Sequence, residues 1–259
     1  MSIIVSIHSF RGGTGKSNLT ANLASQLALA GKRVAVFDTD IQSPGIHVPF
    51  GLDEDSVGLT LNDFLYGKCG IEEVALNIGQ HTGDDSGRTK LAGVDLWLVP
   101  SSIKKDEISQ VLKEGYSIDR LNEGMQTLNK RLKLDYLFID THPGLGEETL
   151  LSIAISDILI IILRPDQQDF QGTAVTVDIG LGLDVPNLFL VVNKALSRYN
   201  FEDIRQQVEG LYGVPVAGVL PLTEDLADLG SRDLFSLSDP DHPWSRTLRQ
   251  IAQTILEAA

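Results

Sequence analysis

The feature that most restricts the fold of this chain is a glycine-rich loop between an apolar strand and a helix. Residues 6–17 have the sequence SIHSFRGGTGKS, which overlaps the apolar run 3–7 and leads into the helical pattern 17–30. The backbone N–H groups of such a loop, with the positive N-terminal end of the next helix, can hold phosphate groups. The order of strand, loop and helix therefore predicts a nucleotide-phosphate site at the carboxyl edge of a sheet.

Three glycines and a Lys-Ser pair give this loop its expected chemistry. We expect Gly12, Gly13 and Gly15 to let the backbone approach a ligand closely and to adopt positive φ angles. We expect Lys16 to reach the β- and γ-phosphates and the Ser17 hydroxyl to bind Mg²⁺. A glycine-rich turn that binds no nucleotide is the alternative, and the complete series of strand, loop, Lys-Ser and helix argues against it.

Short apolar runs alternate with longer stretches of helical periodicity along the chain. Several runs are continuous Ile, Leu and Val, as expected for strands buried on both faces of a parallel sheet. The alternation predicts a single α/β domain over residues 1–259, with a doubly wound, mostly parallel sheet, helices on both faces and a P-loop NTPase architecture. The polar segment 81–90 is predicted to be a surface loop. The predicted strands are 3–7, 34–37, 96–99, 136–139, 158–163, 188–192 and 214–220, and the predicted helices are 17–30, 117–132, 147–155, 201–211 and 243–256.

The acidic composition limits the partners of the chain. Its 259 residues include 21 Lys and Arg against 35 Asp and Glu, a net charge of −14, which disfavours DNA and anionic membranes as partners. The longest apolar run, 158–163, is far shorter than the roughly 20 residues that cross a bilayer, so we expect a cytoplasmic protein. The single cysteine, Cys69, excludes an intramolecular disulfide framework.

Four segments together resemble the MinD/ParA family of deviant Walker A ATPases. The sequence RGGTGKS at 11–17 is similar to the Walker A box of that family, and FDTDIQSPG at 37–45 is similar to its second acidic motif. LFIDTHPG at 137–144 resembles its Walker B and switch II segment. VVNK at 191–194, with LPLT at 220–223, resembles its base-binding segment. The resemblance extends over nearly the whole chain, is closest to MinD-like proteins, and implies ATP and Mg²⁺ as cofactors.

The resemblance assigns a role to each matching residue. Asp140 is implied to hold Mg²⁺ through water, and Asp38 and Asp40 to orient the attacking water and support the Mg²⁺ shell, with the division between these two left open. Gly144 is implied to contact the γ-phosphate, and Asn193 to recognise adenine. The full set is catalytic Lys16, Asp38, Asp40 and Arg11; nucleotide-binding Gly12, Gly13, Thr14, Gly15, Lys16, Ser17, Asn18, Gly144, Asn193, Lys194, Pro221 and Thr223; and metal-binding Ser17, Asp140 and Asp40.

Two loop positions depart from the usual patterns. Phe10 stands where the standard Walker pattern has glycine, which the MinD/ParA family tolerates. Arg11 stands where that family has a lysine that reaches across a dimer to the partner's nucleotide. Arginine is also cationic and suits phosphate oxygens, so one hypothesis gives Arg11 the same role in trans. The other hypothesis is that Arg11 is only a surface residue of the loop and that the contact across the dimer is lost.

The resemblance implies a slow, partner-stimulated ATPase that forms a homodimer with ATP and acts as a switch for cell division, segregation or cargo placement. An ATPase for metal insertion or cofactor maturation, a small-molecule ligase and a weakly hydrolysing nucleotide sensor are the alternatives. We expect an unidentified protein partner, and we regard DNA binding as possible but disfavoured by the net charge. MinD proteins usually end in a membrane-targeting helix. In this chain we expect the last helix to pack its apolar stripe on the core, and we do not expect direct membrane binding. The stripe consists of Leu248, Ile251, Ala252, Ile255 and Leu256.

Overall fold

A single twisted sheet organises the part of the chain that the structure describes. The structure is a computed structural model and describes residues 2–80 and 87–259. Its strands are β1 (Ile3–His8), β2 (Val34–Asp38), β3 (Leu76–Asn77), β4 (Leu96–Val99), β5 (Tyr136–Asp140), β6 (Ile158–Leu163), β7 (Asn187–Ala195) and β8 (Val216–Pro221). Their order across the sheet is β3-β4-β2-β5-β1-β6-β7-β8. All neighbouring pairs are parallel except the edge pair β3–β4, so the predicted fold class is confirmed.

Helices cover both faces of this sheet. Alternate residues of β5 and β6 enter different clusters: Phe138 and Ile160 join one core, whereas Ile139 and Ile161 lie in clusters on the opposite face. This alternation follows from the two-residue period of a strand. The helices are α1 (Lys16–Leu29), α2 (Glu54–Val57), α3 (Leu61–Leu65), α4 (Ile71–Val74), α5 (Lys105–Glu114), α6 (Ile118–Leu132), α7 (Glu147–Ala154), α8 (Gln167–Gly182), α9 (Phe201–Tyr212), α10 (Glu224–Leu229), α11 (Phe235–Ser238) and α12 (Pro243–Glu257).

The sequence patterns located all seven longer strands and five of the helices. They did not indicate β3, which has only two residues, or the 16-residue helix α8. Helix α8 has no apolar stripe because small and polar residues occupy most of its buried face, so the usual helical signal is weak. These buried residues are Asp169, Gly172, Thr173, Thr176, Val177 and Gly180.

The C-terminal helix α12 packs on the core as expected. It lies against β8 and α1, and its predicted stripe is buried apart from the half-buried Leu256. Among the described residues, no helix is both long enough and apolar enough to cross a membrane. Of the predicted surface loop 81–90, residues 81–86 lie outside the described residues, and Gly87–Leu91 is a 3-10 helix.

Candidate functional site

The carboxyl ends of three central strands bring the predicted phosphate loop and acidic residues together. β1 lies between β5 and β6, and β2 lies on the other side of β5, so their C-terminal ends share one edge. Asp38 and Asp140 are direct register partners at the ends of β2 and β5. The glycine-rich loop follows β1 at the same edge and leads into α1. Ligands of open α/β sheets bind at such an edge.

Two of the three loop glycines have the backbone conformation that only glycine adopts readily. Gly13 has φ of 77°, and Gly15, the N-cap of α1, has φ of 94°. A Cβ on Gly15 would also lie 2.6 Å from the Asn193 side-chain nitrogen, so this position needs glycine for two reasons. Gly12 is not in the left-handed region, and the prediction of a positive φ there is wrong. An added Cβ at Gly12 would meet only Pro143, at 3.9 Å.

Lys16 holds its ammonium group between two buried carboxylates. Its Nζ lies 3.5 Å from Asp140 Oδ1 and 3.8 Å from Asp40 Oδ2, and all three side chains are almost completely buried. A buried cation beside two carboxylates keeps the local charge partly balanced. The same ammonium group is close to the loop that would receive the phosphates of a nucleotide.

Asp140 combines complete burial with an unsatisfied oxygen. Its Oδ1 accepts a hydrogen bond from Thr20 Oγ1 at 3.1 Å. Its Oδ2 has no hydrogen-bond partner among the described residues. Burial raises the pKa of Asp140, whereas the Lys16 charge and the hydroxyls of Ser17 and Thr20 act in the opposite direction. A buried carboxylate oxygen without a partner is suited to an incoming cation or water.

Asp38 is completely buried beside Asp140. Its Oδ1 accepts the backbone N–H of Asp40 at 3.1 Å, and its Oδ2 is unpartnered within the described part of the chain. Burial raises the pKa of Asp38 well above its usual value, and the negative charges of Asp140 and Asp40 add to that rise. Desolvation and like charges both favour the neutral acid.

The residues predicted to hold Mg²⁺ fit that ion chemically. Ser17, Asp140 and Asp40 provide oxygen donors, which Mg²⁺ prefers, and Asp140 Oδ2 is an orphaned buried acceptor. The described residues contain no group of three or more His, Cys, Asp or Glu side chains placed to hold a metal ion by themselves. Mg²⁺ normally keeps several waters and binds through one or two carboxylates plus substrate phosphates, so these donors suit a nucleotide-dependent site.

His142 joins this site, although the sequence patterns did not identify it. Its Nδ1 lies 2.6 Å from Asp40 Oδ1, which also accepts the backbone N–H of Ser43 at 3.2 Å. The local signal was its position two residues after Asp140, in the loop between β5 and α7. That position could not reveal the contact, because Asp40 is 102 residues away in sequence and approaches through the pairing of β2 with β5.

The predicted base-binding residues line one cavity beside the phosphate loop. The cavity has a volume of about 290 Å³. Gly15 of the loop and Asn18 of α1 line one side of it, and Trp244 of α12 contributes to its wall. The sequence patterns missed the contribution of α10 and its flanking residues. The remaining lining residues are Asn193, Lys194, Pro221, Leu222, Thr223, Leu226, Ala227, Gly230 and Ser231.

Asn193 and Lys194 hold the phosphate loop in this structure. Asn193 Nδ2 donates to the Thr14 carbonyl at 2.8 Å, and Lys194 Nζ donates to the Gly13 carbonyl at 2.7 Å. Lys194 itself has φ of 59°, a conformation that is uncommon for a residue with a side chain. The base-binding segment thus supports the loop directly, and the recognition of adenine by Asn193 stays a prediction.

The two unusual loop residues both contact α8. Arg11 Nη1 donates to Gln168 Oε1 at 2.6 Å and lies 3.5 Å from Asp169 Oδ1. The ring of Phe10 lies against Gly172, where an added Cβ would be 2.1 Å from Phe10 Cδ1. Helix α8 therefore anchors the first part of the phosphate loop.

Gly144 keeps the switch segment close to the same loop. It has φ of 91°, and its backbone N–H donates to the Ser9 carbonyl at 3.3 Å. The predicted contact of this N–H with a γ-phosphate would require it to leave Ser9. The segment after Asp140 is thus the part of the site that a nucleotide would have to rearrange.

Comparisons with known proteins agree with this geometry. A protein-family model described as the CobQ/CobB/MinD/ParA nucleotide binding domain matches residues 5–237. An uncharacterised ATP-binding protein of Methanocaldococcus jannaschii is 29% identical over the whole chain and 89% of its own length. The septum site-determining protein MinD of Synechocystis is 25% identical over 85% of the chain and 76% of its own length. An iron-sulfur cluster carrier protein of Rickettsia conorii is 27% identical over 89% of the chain and 65% of its own length.

Solved structures share the fold over the full length. The cell division ATPase MinD of Pyrococcus furiosus superposes with a TM-score of 0.80 at 20% identity and covers 100% of both chains. The MinD of Pyrococcus horikoshii, solved with Mg-ADP, has a TM-score of 0.77 at 20% identity, covering 98% of this chain and 96% of that one. At these identities the likeness shows the fold.

Proposed function

The chain belongs to the CobQ/CobB/MinD/ParA family of nucleotide-binding domains, and from that premise we propose that it is a Mg²⁺-dependent ATPase acting as a nucleotide-controlled switch. One observation carries this proposal. The buried Lys16 ammonium lies within 3.8 Å of Asp40 and Asp140 at the start of α1, beside a loop that two left-handed glycines shape. Phosphoryl transfer depends mainly on such positioning and charge neutralisation.

Each side chain at the sheet edge has a role in this proposal. Lys16 leaves the two carboxylates to bind the β- and γ-phosphates, and the backbone N–H groups of the loop bind the remaining phosphate oxygens. Ser17, Asp140 and Asp40 hold Mg²⁺, which neutralises phosphate charge when bound. Asp38 and Asp40 orient the attacking water, and which of the two contacts it stays open. The cavity between Asn193 and Ala227 takes the adenine base.

We further propose that ATP produces a homodimer in which Arg11 acts on the partner's nucleotide. Arg11 has a half-exposed side chain whose present contacts, Gln168 and Asp169, belong to its own chain. The Arg11 side chain is 40% exposed, and Asp169 would keep its hydrogen bonds to Arg164, so Arg11 can exchange these contacts for a phosphate at small cost. Hydrolysis is slow until a protein partner stimulates it, so the partner determines how long the ATP-bound dimer persists.

The biological task that we propose is the placement of a cell-division, segregation or other cargo. Relatives of this chain include proteins described as septum site-determining and flagellum site-determining. The net charge of −14 favours a protein partner over DNA or an anionic membrane.

Cofactor maturation is the second candidate, because iron-sulfur cluster carriers are also similar to this chain. The single cysteine, Cys69, packs against the apolar cluster of α3, α4 and α6, and burial raises its pKa. A raised pKa disfavours the thiolate that binds metals. The partly buried position of this one cysteine therefore supports the nucleotide switch over the iron-sulfur carrier.

Light scattering with and without ATP and Mg²⁺ tests the proposal. The expected result is a shift from monomer to dimer with ATP, together with slow phosphate release. Lys16→Ala should abolish ATP binding, whereas Asp40→Ala should bind ATP and fail to hydrolyse it. A protein that binds ATP and stays monomeric contradicts the dimer, and one that binds no ATP contradicts the whole proposal.

The Asp40→Ala form also offers a way to find the partner. It should retain the ATP state, so proteins captured with ATP and not without it are candidates for the regulated partner. Capture of a septation or segregation protein would support the switch, and capture of a metalloenzyme would support cofactor maturation.

A further inference from the structure

We infer that His142 is a positioning residue for ATP hydrolysis that holds the Asp40 carboxylate in its working orientation. The inference rests on the proposed function, because it concerns the role of Asp40 in that reaction. His142 Nδ1 lies 2.6 Å from Asp40 Oδ1, the shortest side-chain contact that Asp40 makes at the site. Lys16, the other side chain beside Asp40, is 3.8 Å away and is expected to leave for the phosphates.

The surroundings of Asp40 indicate that His142 is the donor in the hydrogen bond between these two side chains. Asp40 accepts the Ser43 N–H on the same oxygen that faces His142, and its other oxygen faces the Lys16 ammonium, as expected for an ionised carboxylate. An ionised carboxylate has no proton to give, so His142 Nδ1 carries the hydrogen and donates it. When Lys16 turns to a nucleotide, the Ser43 N–H and the His142 N–H are the groups that still hold Oδ1.

The imidazole can do this because the chain on both sides of it is fastened. The hydroxyl of the preceding residue, Thr141, donates to the Ile7 carbonyl at 3.0 Å and is also 2.7 Å from His8 Nδ1. The His142 carbonyl accepts a hydrogen bond from Thr149 Oγ1 of α7 at 3.4 Å. His142 therefore connects the switch segment to Asp40, and any movement of that segment changes the position of the carboxylate.

Two nearly isosteric variants test the role of the donated hydrogen bond. The Asn side chain in His142→Asn keeps an N–H near the position of Nδ1, whereas His142→Leu has similar bulk and no donor. We expect His142→Leu to lower kcat for ATP hydrolysis by about 10- to 100-fold, the range for a hydrogen bond to a charged group, and to leave KM and ATP affinity nearly unchanged. His142→Asn should recover most of the rate.

The control is Leu112→Ala, which truncates an exposed residue of α5 that lines the cavity beside His142 and should leave kcat unchanged. Thermal unfolding of each variant shows whether it is folded. If the wild-type protein hydrolyses ATP and His142→Leu, folded, does so at the same rate, the inference is wrong while the proposed function stands. If His142→Asn is as slow as His142→Leu, the donated hydrogen bond is not the cause. A wild-type protein without ATPase activity contradicts the proposed function instead.

Discussion

The ring of Phe10 lies so close to the backbone of Gly172 that a methyl group added at residue 172 would be 2.1 Å from Cδ1 and 2.8 Å from Cβ of the ring residue. The phosphate loop has an aromatic residue where the usual Walker pattern has glycine, and the helix it packs against has a glycine at the contact. The missing side chain on α8 thus makes room for the extra one in the loop. This pairing explains how the loop keeps its path despite Phe10.

The first prediction concerns this contact. In the wild-type background, Gly172→Ala should destabilise the protein by about 1–3 kcal/mol, because overpacking forces Phe10 and the loop to shift. ATP affinity should fall with it, since the shifted loop is the one proposed to bind the phosphates. In a Phe10→Ala background the same change should stabilise by up to about 1 kcal/mol, since Ala favours a helix over Gly. Denaturant unfolding of the wild type, the two single variants and the double variant measures the effect of Gly172→Ala on stability in each background. If Gly172→Ala destabilises the protein equally with and without Phe10, the proposed pairing of Phe10 with Gly172 is wrong.

The second prediction is that Arg11 matters for the ATP-induced dimer and not for the stability of the folded chain. Arg11→Ala should change stability by less than about 1 kcal/mol, because the Arg11 side chain is 40% exposed and its ion-pair distances are long, at 3.5 and 3.9 Å. Asp169 keeps its partner in that variant, since Arg164 Nε and Nη2 bind it at 3.0 and 3.2 Å. The ATP-induced dimer and hydrolysis should nevertheless weaken.

Light scattering and phosphate release measure this outcome, with Arg11→Lys as the conservative comparison. Lysine restores the residue that the MinD/ParA family has at this position, so it should retain dimerisation. If Arg11→Ala forms the ATP dimer as readily as the wild type, Arg11 has no role in trans.

The third prediction fills the base cavity. Ala227 is exposed on α10 and lines the cavity next to Leu226 and Gly230, so Ala227→Phe should occupy the space proposed for adenine. The affinity for ATP should fall while the unfolding temperature changes little. Asp228→Phe places the same side chain at the next position of the helix, which does not line the cavity, and serves as the control. Equal affinities of the two variants, measured with a fluorescent ATP analogue, would place the base elsewhere.

The fourth prediction uses the buried histidine under the switch segment. Burial lowers the pKa of His8 to about 3, and the nearby Lys16 and His142 add to the lowering. Below pH 6.5 the unfolded chain therefore binds a proton at this residue that the folded chain does not, and stability falls as the pH drops toward 3. At pH 5 the loss from this group is about 2 kcal/mol.

His8→Asn keeps a donor for Thr141 and removes the titration. Between pH 7.5 and pH 5 this variant should lose less stability than the wild type in denaturant unfolding. Nuclear magnetic resonance of the wild-type protein offers an independent check, because His8 should show no titration between pH 5 and 8. A His8 signal that titrates near pH 6.5 would contradict the prediction.

The core of the site was predictable because it depends on local order. The strand before the loop, the glycines at 13 and 15, the Lys16–Ser17 pair and the acid at the end of β5 all follow from residues adjacent in sequence. Their convergence follows from the rule that parallel strands end at one edge of the sheet. Helix α8 escaped prediction because its buried face carries glycine, threonine and aspartate rather than an apolar stripe. His142 escaped because its partner is distant in sequence.

The sequence by itself determined the fold class, the phosphate loop and the carboxylates around it, because hydrophobic periodicity and short motifs are local properties of the chain. Only the tertiary structure decided which groups face each other across elements. It placed Phe10 on Gly172, Arg11 on Gln168, and His142 on Asp40. It also placed Asn193 on the Thr14 carbonyl. Such contacts depend on strand register and helix packing over separations of more than a hundred residues, and those are set by the whole core at once.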